Sequence, residues 1–136
     1  MSPSDTPVLD VRDLQTRFHT RAGVLPVVNH VSFTLARGRV LGLVGESGSG
    51  KSVTGFSIMG LVDAPGRVEG GQVLFQGRDL LQLPEHERRA LRGSRMAMIF
   101  QDPMATLNPV LSVQLQMVEA VQAHGNASKA QAVEQA

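Results

Sequence analysis

The octet Gly45-Glu46-Ser47-Gly48-Ser49-Gly50-Lys51-Ser52 fits the pattern G-x-x-x-x-G-K-[ST], and each fixed position has a chemical reason. The glycines let the backbone turn inward, so that successive amide N–H groups point at phosphate oxygens. The positive end of the helix that follows assists them. Lys51 can reach the β- and γ-phosphates of a nucleoside triphosphate as a point charge, and the Ser52 hydroxyl offers Mg2+ the hard oxygen it prefers. The plain alternative is a flexible Gly/Ser loop that matches by accident, expected about once in a few hundred chains of this length. The flanks argue against accident. Val40-Leu41-Gly42-Leu43-Val44 is a short apolar run of the kind that forms a strand buried on both faces of a parallel sheet. After Ser52, the residues Val53, Phe56, Ile58, Met59, Leu61 and Val62 recur near helical spacing until Ala64-Pro65-Gly66 stops them. Strand, glycine loop, helix is the placement that phosphate binding demands.

A second stretch, Met98-Ile99-Phe100-Gln101-Asp102-Pro103, admits two readings from its residues. An apolar strand ending in an acid would let Asp102 hold Mg2+ through water, which makes the chain a compact P-loop NTPase or kinase. Alternatively Gln101 is the functional group, a neutral amide able to touch Mg2+ or the attacking water and to shift when a partner moves.

The elements that must position these residues are legible in outline. Apolar side chains roughly alternate from Val8 to Phe18 with a phase slip, predicting a strand with an irregularity near Asp13. Arg21 to Pro26 reads as a turn, Val27 to Leu35 as a second strand, and Ala36-Arg37-Gly38-Arg39 as a tight connection into the run at Val40, the whole resembling a small antiparallel sheet. Gly70-Gly71 is expected to open a strand over Gln72 to Gln76, and Pro84 to start a short charged helix from Glu85 to Leu91. Met96 to Phe100 reads as a strand and Pro103 to Pro109 as a loop. Ser112 reads as the N-cap of a helix running to about His124, and Ser128, after Gly125-Asn126, as the cap of a last one.

Bulk properties bound the function. At 136 residues with 42% hydrophobic side chains the chain has the size and composition of one soluble domain. Thirteen basic against twelve acidic residues predict no nucleic-acid face. The absence of cysteine removes disulfide, thiolate and cysteine-zinc chemistry. The first residues lack the pattern of a signal peptide, and the apolar runs fall far short of the roughly 20 residues of a membrane helix, so membrane association is expected only through another protein. His30, His86 and His124 show no ligand spacing, Glu85 to Arg92 reads as a solvated helix face, and Met96, Met98 and Met104 as packing.

The loop Gly45 to Ser52, followed by Met98-Ile99-Phe100-Gln101-Asp102-Pro103-Met104-Ala105-Thr106-Leu107-Asn108-Pro109, resembles the ATP-binding subunits of bacterial ABC transporters for dipeptides, oligopeptides and related substrates. The resemblance extends from about Val8 to Ala136. It implies an α/β fold, a RecA-like P-loop NTPase core with an N-terminal antiparallel β subdomain, of which residues 1–136 are the N-terminal portion. The helical subdomain would be only begun near 112–136. It implies ATP and Mg2+ as cofactors, held by Gly45, Glu46, Ser47, Gly48, Ser49, Gly50, Lys51, Ser52 and Val53. Ser52 and Gln101 would serve the metal, with Lys51 and Gln101 as catalytic groups and Gln101 as the Q-loop glutamine. Phe18 stands where the family stacks an aromatic ring on adenine. The plain reading of Phe18 is a core residue, and His19 is the weaker candidate for the base. Ala105-Thr106 departs slightly from the family's small hydroxyl residues.

The resemblance further implies a second ATP-binding subunit, in a homo- or heterodimer, and a permease that meets Asp102 to Asn108. The location would be cytoplasmic, peripheral on the inner face of the cell membrane. A Leu-Ser-Gly-Gly-Gln type signature, an Asp-Glu pair ending a later strand and a switch histidine are absent from these residues. The expectation is therefore a truncated chain that binds ATP without hydrolysing it, with apolar surface exposed where further strands would pack. Rival classes are the compact enzyme using Asp102, a non-catalytic nucleotide-sensing module, and a DNA-maintenance ATPase, against which the near-neutral charge and missing heptads weigh.

Overall fold

The computed structural model describes residues 6–101, 107–125 and 127–136. The reading of Asp102 as a metal ligand, Met104, most of the stretch expected to meet a permease, and Asn126 lie outside the described residues. The chain divides into two compact units, Met1–Arg88 and Arg89–Ala136.

The first unit is built on an antiparallel sheet in the order β2-β1-β3-β4, with β1 at Leu9–Thr20, β2 at Gly23–Leu35, β3 at Gly66–Phe75 and β4 at Arg78–Asp79. Strand β1 buries Val11, Leu14 and Thr16. The first two are three residues apart, which a regular strand would put on opposite faces. The slip is absorbed at Asp13, whose φ is 51°, and the register of β1 shifts there against both neighbours. Gly71 on β3 faces this irregularity with φ 92°, and a Cβ on it would lie 2.5 Å from the carbonyl oxygens of Arg12 and Asp13. The backbones approach too closely for any side chain.

Strand β2 begins earlier than its sequence suggests. Pro26, expected in the turn, pairs with Arg17 inside the ladder. As the sheet's edge strand, β2 has one side with no partner among the described residues, so a residue without an N–H is tolerated. Strand β3 also begins earlier, at Gly66, so Gly70 and Gly71 lie within it rather than before it. Helix α1, Lys51–Met59, stops at Gly60, whose φ of 66° turns the chain. The amides of Gly60 and Leu61 bond back to the carbonyls of Ser57 and Phe56 at 3.2 and 2.8 Å, closing the helix before Leu61 and Val62 can join it. A short 3-10 turn, Leu80–Gln82, precedes α2, Glu85–Leu91.

Helix α1 is fixed to the sheet by a buried hydroxyl pair. Thr16 Oγ1 and Ser57 Oγ are 2.7 Å apart and both residues are fully buried. Ser57 commits its only proton to the Val53 carbonyl at 2.6 Å, so Thr16 is the donor between the two. Ser57→Ala strands the Thr16 hydroxyl away from water and is expected to lower stability by about 1–3 kcal/mol. Urea unfolding reads this as a lower midpoint at unchanged slope; an unchanged midpoint would show that the pair does not anchor the helix.

In the second unit, α3 (Val113–His124) and α4 (Lys129–Gln135) bury Val118 and Ala132. Both N-caps fall where the sequence puts them. Ser112 Oγ accepts from Leu115 N–H at 3.2 Å, and Ser128 forms a capping box with Gln131.

Two expected strands do not form. Val40–Val44 joins no ladder, with Val40 and Val44 99% and 95% exposed. Met96–Phe100 makes one isolated bridge, Arg92 with Met96, and Ile99 is 99% exposed. A run of this type needs a lateral strand to satisfy its backbone and a layer over each face. Among the described residues neither segment has them, so both lie open as apolar chain.

Candidate functional site

The glycine loop leads straight into α1. Gly50 is the N-cap residue with φ 88°, and no side chain caps the helix. The first bond of the helical ladder runs from Thr54 N–H to the Gly50 carbonyl at 2.8 Å, and Thr54 Oγ1 donates to the same oxygen at 2.9 Å. The amides of Lys51, Ser52 and Val53 therefore precede the ladder, as helix geometry requires, and form the positive end of α1. Gly48, with φ 82°, and the bond from Ser49 N–H to the Glu46 carbonyl at 3.2 Å turn the loop back over this end.

Lys51 is folded into that turn. Its ammonium donates to the carbonyls of Gly45 and Glu46, each at 2.6 Å, and to Ser49 Oγ at 3.1 Å, so each of its three protons has an acceptor. A Cβ on Gly45 would lie 2.6 Å from Ser49 Oγ, so a larger residue there must turn that hydroxyl aside. Ser52 is exposed in the first turn of α1, which leaves its hydroxyl open to a ligand from solvent. The ammonium, the leading amides and the Ser52 hydroxyl together suit a polyanion with an attached hard cation.

The loop meets the sheet at Gly50. Strand β2 carries an extra residue at Val27, between Val28, which pairs with Thr16, and Pro26, which pairs with Arg17. A bulge re-aims the backbone beside it. Gly50 lies against the Val27 carbonyl so closely that a Cβ would be 2.4 Å from its oxygen. Nothing in the sequence around Val27 announces this bulge except the neighbouring proline.

Phe18 lies on β1 two residues beyond Thr16, hence on the sheet face that α1 crosses. Its cross-strand partners are Leu25 on β2 and Gly66 on β3. The ring leans over Gly66 beside Val62 and stays half-buried. Leu25 is two residues from Val27, so strand spacings put the Phe18 backbone about 8 Å from the point where Gly50 meets β2. His19 turns instead to Glu69, with which it pairs through Nε2, and Arg17 stands 3.6 Å from the same carboxylate. His30 pairs with Asp13 at 2.6 Å. Gln101 is exposed and belongs to the second unit.

Comparison with known proteins bears on this arrangement. Residues 28–136 match the family model of the ABC transporter. The oligopeptide transport ATP-binding protein OppD of Escherichia coli is 50% identical over 128 residues, covering 94% of this chain and 38% of that protein. The dipeptide transport ATP-binding protein DppD of Haemophilus influenzae is 46% identical over 122 residues, 90% of this chain and 37% of its own length. The chain thus spans well under half the length of these relatives. A solved bacterial ABC transporter cassette, described in dimeric form, superposes with a TM-score of 0.78 at 18% identity, covering 93% of this chain and 53% of its own, which shows a shared fold. With its glycine loop, its antiparallel sheet and a family match over residues 28–136, the chain belongs to the ABC transporter family and shares the fold of its cassette.

Proposed function

We propose that these residues bind MgATP as part of the ATPase subunit of an importer for peptides or similar small solutes. The observation that carries this reading is the Lys51 ammonium gathered onto the Gly45 and Glu46 carbonyls at the uncapped end of α1. A polyphosphate oxygen carries more charge than the Ser49 hydroxyl, the longest of the three contacts, and would displace it as acceptor. The amides of residues 45–53 would surround the β-phosphate. Ser52 would hold Mg2+, and the family resemblance assigns Gln101 to the metal as well. Among the described residues no cluster of three His, Asp or Glu side chains could hold a metal, so phosphate oxygens would complete the coordination. Bound Mg2+ would neutralise charge developing on the phosphates, while the protein's part is positioning. The Phe18 ring would take the adenine.

The substrate class follows from OppD and DppD, whose names give oligopeptide and dipeptide transport. The same reading supplies a second ATP-binding subunit and a permease contacting Asp102 to Asn108. It places the protein peripherally on the cytoplasmic face of the membrane; among the described residues no helix is long and apolar enough to cross one.

Hydrolysis in such a cassette needs a signature segment and a later Asp-Glu pair that supplies the general base, and neither motif occurs in these 136 residues. Titration of the chain with MgATP is expected to show saturable binding, and a phosphate-release assay no turnover above background. Sustained hydrolysis abolished by Lys51→Ala would favour the compact enzyme using Asp102.

A further inference from the structure

We infer that Gly66 is a positioning residue for the Phe18 ring, and that its missing side chain sets how tightly the site holds an adenine base. The inference rests on the reading of Phe18 as the base-stacking ring proposed above. Phe18 and Gly66 are direct partners across β1 and β3. The far end of the ring rests against the glycine, for a Cβ on Gly66 would come 2.8 Å from Phe18 Cζ and 2.9 Å from Cε1, and 2.7 Å from Val62 Cγ1. Carbon atoms in contact sit about 3.5–4.0 Å apart, so nothing larger than hydrogen fits beneath the ring in this pose.

The neighbours that would be struck are side-chain ends, not backbone. A methyl group at Gly66 therefore displaces the ring and the valine while the sheet keeps its ladder. Gly66 also lies outside the left-handed backbone conformations recorded for other glycines of the chain, so alanine is not strained there. The contrast with Gly71 is direct, because a Cβ there meets the carbonyl oxygens of Arg12 and Asp13.

A stacked base gains from a ring held at a fixed height and tilt, since the contact is lost over fractions of an ångström. Gly66 fixes the tilt by letting the ring settle onto the strand, and Val62 closes the side. The phosphate cradle contributes nothing to this seat. Lys51, Ser52 and the loop amides are held by the loop's own bonds and by Val27. Gly66 should accordingly affect affinity for a nucleotide and leave affinity for a bare polyphosphate alone.

The test measures dissociation constants of MgATP and magnesium tripolyphosphate for the full chain and for Gly66→Ala, Phe18→Ala and the double variant. Stacking on an aromatic side chain predicts that Phe18→Ala weakens MgATP by about tenfold or more, and Gly66→Ala by a smaller factor of about three to ten. Tripolyphosphate affinity should stay within twofold in all three, which also shows that the variants are folded. Gly66→Ala should add nothing once the ring is gone. If Phe18→Ala weakens MgATP and Gly66→Ala does not, the seat is overturned while the stacking reading stands. Equal loss of MgATP and tripolyphosphate in Gly66→Ala likewise overturns it. If Phe18→Ala binds MgATP as the parent does, the stacking reading falls and takes the seat with it.

Discussion

Replacing Lys51 by alanine should weaken MgATP binding by at least about a hundredfold while the protein stays folded. The ammonium is the only full positive charge in the loop from Gly45 to Ser52, and it contacts two backbone carbonyls and one hydroxyl there. Hydrogen bonds to charged groups contribute about 1.5–3 kcal/mol each, and roughly 2.7 kcal/mol is a hundredfold in affinity. The bonds to Gly45 and Glu46 stay, and a phosphate oxygen in place of the Ser49 hydroxyl, together with the attraction of the full charge for the polyanion, reaches that figure. The cost to the fold is small, because the carbonyls that lose their donor lie at exposed loop positions where water replaces it. Lys51→Arg should fall between the two. Its planar fork cannot converge on two neighbouring carbonyls as three tetrahedral protons do, though it keeps the charge. Calorimetric titration with MgATP, beside a thermal melt, separates the loss of binding from loss of structure; parent-like affinity in Lys51→Ala would end the assignment of this loop.

Much of this site is legible in the sequence, and the reason is local. The start of α1 and the caps at Ser112 and Ser128 are set by residues within a few positions of one another, so spacing marks them, whereas the end of α1 at Gly60 falls short of the expected run to Val62. The irregularity at Asp13 shows as a phase slip between Val11 and Leu14 because one face of β1 must stay buried. What the sequence misplaces depends on distant partners. Val40–Val44 and Met96–Phe100 have the composition of buried strands, but composition records what a segment would bury and not whether a neighbour is at hand. Pro26 reads as a turn residue until β2 is known to be an edge, and Gly70-Gly71 as a strand opening until Gly71 is seen against Arg12 and Asp13.

The role proposed for Phe18 shows the same division. Its position in the sequence suggests a ring for the base, whereas the reason the ring can lie as it does is Gly66, 48 positions later. Gly66 follows Pro65 and reads only as the end of a helix. Likewise the pair Thr16 and Ser57 looks like two unremarkable hydroxyls until β1 and α1 meet.

Gly50→Ala is expected to be the most damaging single methyl group in the loop, in stability and binding together. Two separate costs fall on this position. The first is conformational: φ is 88°, a region where alanine is strained by about 1–3 kcal/mol. The second is steric, for the new Cβ would sit 2.4 Å from the Val27 oxygen and 3.5 Å from its carbon. Those atoms are backbone held between Val28 and Pro26, both paired with β1, so they cannot swing aside as a side chain would. The start of α1 must lift from β2, carrying with it the amides of Lys51 and Ser52 that would face the phosphates. Gly48→Ala separates the two costs, since Gly48 has a similar φ of 82° but nothing within 4 Å of its Cβ position. Gly48→Ala should lose about 1 kcal/mol of stability, and Gly50→Ala about 2–4 kcal/mol. The Gly50 variant should also lose MgATP affinity out of proportion to its stability, when titrated well below its melting temperature. If the two variants melt together and bind alike, the contact with the Val27 bulge is not what holds the loop in place, and strain at the glycines accounts for both.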